Sequence, residues 1–177
     1  MLEPTARLGT DLTIGANRIT ERTDLALYSV AIPRDGESAL ADALQTLWNL
    51  ALPTPKQSTQ SANTRALRTA PDALLLILPE EAPVAAKLQG SGYITDQTHG
   101  LTVLDVSGPD TPSALERLCP LDLSPEAFPE GATARTLVEQ LGTTLLRLGD
   151  THFLLISASS SAESTLHAVE TAYHSVA

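Results

Sequence analysis

The 177 residues suit one domain, of two lobes at most, which would bury about 70% of its unfolded surface. At 42% hydrophobic and 18% charged, the composition is that of a globular chain, neither disordered nor membrane-spanning. Eleven basic against 21 acidic residues give a net charge of −10, and the bases are scattered singly, which excludes nucleic acid as a partner.

One cysteine excludes an intrachain disulfide and a cysteine-rich metal site, and it fits a reducing cytoplasm. The opening MLEPTARLGTDLTIG lacks the continuous apolar core of a signal peptide. No run approaches the ~20 apolar residues that would span a membrane; the longest, Ala73–Leu78, is a buried strand at most. With aromatics at 3%, the core must be built from Leu, Ala, Val and Ile.

Residues 1–22 are polar and weakly patterned and read as an extended N-terminal arm, followed by a single domain over 23–177 that could divide into 23–92 and 93–177. Asp24–Ile32 alternates as a strand does, and Pro33 with Asp35-Gly36 ends it. Glu37–Leu50 places Leu40, Leu44, Leu47 and Trp48 on one helical face. Pro53–Asn63 has no apolar periodicity and reads as a loop. Arg65–Thr69 and Ala73–Leu78 flank Ala70-Pro71-Asp72 as a hairpin would. Glu80–Leu88 reads as a helix closed by Gly90-Ser91-Gly92.

From Tyr93 the chain reads as strand, tight reversal and second strand, the second carrying Leu101, Val103, Leu104 and Val106. Ser107-Gly108-Pro109 stops it, and Thr111-Pro112 offers an N-cap followed by proline at the first helical position. Leu115 and Leu118 face that short helix inward, and Cys119-Pro120 closes it. Thr133–Glu139, Thr143–Leu148 and His152–Ser157, parted by Leu141-Gly142 and Gly149-Asp150, read as an antiparallel meander. In the last helix Ser160 and Glu163 form a capping box, and Leu166, Val169, Tyr173 and Val176 form the apolar stripe. The element order predicts an α+β fold with an antiparallel or mixed sheet and packed helices.

CPLDLSPEAFPEG, Cys119–Gly131, resembles the corner of the gamma subunit of heterotetrameric sarcosine oxidases. ITDQTHG and VLDVSGP before it are similar to the strand–turn–strand this family shares with the glycine cleavage T-protein, and ATARTL, LLRLGD and HFLLIS extend the likeness over residues 70 to 158. The resemblance implies a folate-binding aminomethyltransferase-like fold, used as a subunit without an active site or cofactor of its own. The implied complex is cytoplasmic and oxidatively demethylates sarcosine or a similar N-methyl amine. It would contain alpha, beta and delta-type subunits, with FAD, FMN, NAD and tetrahydrofolate on the larger ones and zinc on the smallest. A stand-alone folate-binding or aminomethyltransferase-like protein, or a free-standing interaction module, is the alternative.

The residues themselves offer little catalysis. Gly90-Ser91-Gly92 is too short for a phosphate-cradling loop, and a strand follows it. His167 and His174 lie seven residues apart on one helix, roughly 10.5 Å along its axis, and cannot share an ion. With Glu163 and Glu170 they make a solvated strip. Asp96, Thr98 and His99 match a turn of the T-protein relatives and read as a hydrogen-bonded turn. Cys119, flanked by leucines at a helix end, reads as a small buried hydrophobe. Folate-dependent relatives carry carboxylates on the strand corresponding to Gly142–Leu148, which has none here. What remains is association through the corner at Pro125, Phe128 and Pro129. A proline-braced Phe128 serves either as an anchor for a partner or its direct support, or as a plug in its own core.

Overall fold

The computed structural model describes residues 8–79 and 84–176. The chain divides into two compact units. One joins the stretch ending at Thr23 to everything from His99 onward, and the other is Asp24–Thr98, so the division falls beyond the expected 92/93.

The first unit is a six-stranded sheet with two helices packed on one face. Asp11–Ile14 (β1), Asn17–Glu21 (β2), Leu101–Ser107 (β8), His152–Ala158 (β11), Leu141–Gly149 (β10) and Thr133–Val138 (β9) lie in that spatial order. The labels follow chain order; β3 to β7 belong to the other unit. Every neighbouring pair is antiparallel. The register sets Val106 against Phe153 and Leu104 against Leu155, and Leu145 against Leu155 on the other side. These side chains share a face with Ile19, because opposed residues of paired strands point the same way. Onto it pack Ala114 and Leu115 of α3 (Thr111–Leu118) and Val169, Ala172 and Tyr173 of α4 (Ala162–Val176). Full burial of each large apolar side chain there contributes roughly 1.5–3 kcal/mol over exposure. The opposite face is also apolar, and its Val103, Leu146, Leu154 and Ile156 are buried.

The other unit is a five-stranded antiparallel sheet. Ser58–Ser61 (β4), Thr64–Ala70 (β5), Ala73–Pro79 (β6), Leu25–Ala31 (β3) and Tyr93–Asp96 (β7) lie in that order. Val30, Leu74, Leu76, Leu78 and Ala66 meet Leu40 and Leu44 of α1 (Glu37–Trp48) on one face. Val84, which opens α2 (Val84–Lys87), and Leu88 close the same core. Arg68 reaches across to α1, where its Nη1 donates to Glu37 at 2.9 Å.

Several expectations need correcting. Within the expected arm, residues 11–21 form the β1–β2 hairpin, held because Ile19 is fully buried and β2 pairs with β8. The expected loop at 53–63 contains β4, a polar edge strand whose main chain pairs with β5. Tyr93–Asp96 and Leu101–Ser107 are not a hairpin, since β7 pairs with β3 and β8 with β2 and β11. Asp110, not Thr111, caps α3; Thr111 is helical, and its buried hydroxyl lies 2.8 Å from that of Tyr173. The Ser160–Glu163 box gives way to a 3-10 turn, Ser159–Ser161, before α4 starts at Ala162. There Ser159 donates to His99 O and Ser161 to Ala158 O. Of the expected helix 80–88, residues 80–83 lie outside the described residues.

Among the described residues one buried hydroxyl is left over. Thr102 stands opposite Ser157 on the helix-covered face, and its Oγ1 has no hydrogen-bond partner. An unsatisfied buried hydroxyl costs about 1–3 kcal/mol, whereas valine keeps the shape without it. Thr102→Val is therefore expected to raise the denaturant midpoint with an unchanged slope. A lower midpoint would mean that the hydroxyl is bonded in solution.

Candidate functional site

The candidate site is the corner between α3 and β9, and its shape begins with Cys119. That residue leaves α3 in an extended conformation, φ −133° and ψ 148°, so the helix cannot continue. Its thiol is buried and donates to Leu115 O at 3.2 Å. Burial raises its pKa, which favours the thiol over the thiolate. Asp122 then accepts the Ser124 N–H at 2.9 Å, and the hydrogen bonds from Ser124 hold its carboxyl below the usual carboxylate range. The N–H groups of Ala127 and Phe128 both turn back to Ser124 O, at 3.2 and 2.9 Å. Ala132 N–H closes on Pro129 O at 2.9 Å.

This geometry separates the three residues singled out from the sequence. Pro125 and Pro129 are exposed on the corner. Phe128 is 6% exposed and packs in the core with Leu123, Cys119 and Tyr173 as members of the same cluster. In the isolated chain Phe128 is the plug and the prolines are the surface.

Sequence reasoning missed the residue that shapes this corner. Arg147 sits on β10 and is 2% exposed. Its Nη1 donates to Leu123 O at 2.9 Å and to Phe128 O at 2.8 Å. Nε donates to Gly149 O and Nη2 to Asp150 O, each at 2.9 Å. The guanidinium carbon lies 5.3 Å from the Phe153 ring centroid, within cation–π range. A buried cation is tolerable only when its donors are taken up, and backbone carbonyls take them up here. The detectable signal was a lone arginine inside the apolar run LLRLG, next to a proline-rich loop with carbonyls to satisfy.

The other singled-out residues are not brought together. His167 and His174 are exposed on α4. Asp96 Oδ1 accepts the Thr98 N–H at 2.9 Å, and Thr98 Oγ1 accepts the Leu27 N–H at 3.1 Å, which is a hydrogen-bonded turn. On β10, Thr143 is buried and its hydroxyl donates to Leu141 O. On the sheet face away from the helices, His152 Nε2 lies 2.7 Å from Asp105 Oδ1, and Arg22 Nη1 lies 3.4 Å from Asp105 Oδ2. Among the described residues no three or more His, Cys, Asp or Glu converge as metal ligands.

The chain is 33% identical over 109 residues to the sarcosine oxidase subunit gamma of Corynebacterium sp. (strain P-1), covering 59% of this chain and 54% of that one. It is 30% identical over 137 residues to the subunit gamma of Arthrobacter sp, covering 75% and 66%. The chain is a homologue of sarcosine oxidase gamma subunits. It matches a little over half and about two thirds of the lengths of these two relatives. A chain of the heterotetrameric sarcosine oxidase from Corynebacterium sp. U-96 superposes with a TM-score of 0.81 at 24% identity, over 90% of this chain and 85% of that one. The glycine cleavage aminomethyltransferase T from Bartonella henselae shares the fold at a TM-score of 0.61 and 14% identity, over 87% of this chain and 45% of its own. No family model matches the chain. Among the described residues no helix is long and apolar enough to cross a membrane.

Proposed function

We propose that this chain is the gamma-type subunit of a heterotetrameric, sarcosine-oxidase-type complex and works by association rather than by chemistry. The observation that carries the reading is its homology to chains named as that subunit, at 30–33% identity. The local chemistry supports it. Gly142–Leu148 offers no carboxylate, and the one cation there, Arg147, is occupied by backbone carbonyls. On this reading the complex lies in the cytoplasm and oxidises sarcosine or a similar N-methyl amine. FAD, FMN, NAD, tetrahydrofolate and zinc are held by the alpha, beta and delta-type subunits. The corner, with Pro125 and Pro129 outward and Phe128 beneath as support, is the surface that docks on the larger subunits.

Co-expression of the tagged chain with the alpha, beta and delta-type subunits of a sarcosine oxidase from the same source tests this directly. One stoichiometric complex with sarcosine- or N-methyl-amine-dependent oxygen uptake is the expected result. In that complex, Pro125→Glu with Pro129→Glu is expected to cut recovery of the larger subunits on the order of tenfold, the effect of losing an interface anchor worth more than about 1 kcal/mol. Recovery of the chain alone would sink the subunit reading. Undiminished recovery of the double variant would remove the corner from the interface.

A further inference from the structure

We infer that Arg147 is the positioning residue of the docking corner, setting its shape before a partner arrives; this rests on the corner being the docking surface. The two carbonyls taken by Nη1, Leu123 O and Phe128 O, bracket Ser124–Ala127, the part of the corner that carries Pro125. The backbone of Arg147 holds the far end, accepting the Gly131 N–H and donating to Ala132 O, each at 3.0 Å. One residue of a central strand thus grips the loop before, behind and after its exposed tip. Gly149 O and Asp150 O fix the guanidinium from the other side, so the fork has a single orientation.

An apolar residue at 147 would leave the buried Leu123 and Phe128 carbonyls without their donor and the corner without its grip. The buried cation holds an exposed loop in one conformation. Loop ordering is among the costs of association, and a loop ordered in advance avoids it. Lysine cannot substitute, because an ammonium is a point donor and cannot bridge several carbonyls as a planar fork does. Asp122 supports the same tip from the solvent side through the Ser124 N–H, without entering the core.

Arg147→Lys, Asp122→Ala and Asp122→Asn test this in the co-expressed complex, with amide hydrogen exchange of each isolated chain alongside. Arg147→Lys and Asp122→Ala are expected to speed exchange over residues 123–131 and to lower assembly affinity on the order of tenfold, from the added cost of ordering the loop. Asp122→Asn keeps the acceptor oxygen and is expected to assemble like the parent. Should Arg147→Lys not fold, the Asp122 pair still tests the premise that the fixed shape of the tip governs assembly, and parental assembly of Asp122→Ala despite faster exchange overturns it. Faster exchange with parental assembly overturns the role of Arg147, as does full rescue by lysine. An Asp122→Asn loss equal to that of Asp122→Ala shows that charge rather than shape matters at the tip, and overturns the preordering on which the role rests. Parental assembly of the Pro125→Glu, Pro129→Glu variant instead overturns the docking reading itself.

Discussion

Phe128→Ala is expected to lower the stability of the isolated chain by about 3–5 kcal/mol, the usual cost of emptying a buried phenylalanine site. The ring is 6% exposed within the main core of its unit, and few large side chains are available to fill the space in a sequence with 3% aromatics. The loss would spread to the corner, since Phe128 O is one of the Arg147 acceptors and the ring anchors that carbonyl. Thermal and urea denaturation of the free chain would measure it. A parental melting temperature would mean that the ring lies outside the core in solution.

Gly108→Ala is expected to be comparably damaging for an unrelated reason. Gly108 has φ +129°, where a side chain is strained, at roughly 1–3 kcal/mol. A Cβ there would lie 2.6 Å from Asn17 Cα and 2.8 Å from Ala16 O, and would also collide with Asn17 Oδ1. Overpacking against backbone adds about 1–3 kcal/mol. Asn17 cannot retreat without loss. It is 1% exposed, donates from Nδ2 to Asp110 Oδ2 at 2.9 Å, and accepts the Asp110 N–H at 3.0 Å. The β1–β2 hairpin is clasped to the start of α3 through these bonds. Truncating Asn17 to alanine removes Oδ1 but not the clashing backbone, so the double variant is expected not to recover. A Gly108→Ala chain within about 0.5 kcal/mol of the parent would refute the close approach, since that is the range of featureless surface changes.

Strands β8 and β11 were legible because their burial comes from runs of β-branched and aliphatic residues, and α4 because its stripe repeats at helical spacing. β4 was not, since an edge strand of the composition STQS buries little and leaves no apolar period. The turn between β9 and β10 was misplaced for a different reason. Gly142 looked like the reversal, yet the chain turns at Glu139 and Gln140, which take φ of +46° and +72°, while Gly142 lies within β10. Positive φ at non-glycine residues leaves no mark in sequence when the surrounding pairing imposes it. At the corner, the prolines marked a rigid surface and Phe128 could be read either way. Only the register of β10 shows Arg147 beneath it. The likeness of CPLDLSPEAFPEG to gamma subunits supplied the family, which periodicity and composition could not.

The interrupted first unit has a consequence for synthesis on the ribosome. β2 must wait for β8, its partner, with Glu21 opposite Leu104. All of Asp24–Thr98, a sheet closed on its own neighbours, is made in between. Translation at about 5–20 residues per second gives that inserted segment seconds in which to fold before the outer sheet can begin. The first-made hairpin can pair with β8 as soon as that strand emerges, whereas the other edge of β8 stays open and apolar until β11 is made. Translational pausing or truncation shortly after residue 107 would expose that edge for longest, and nascent-chain aggregation should peak there.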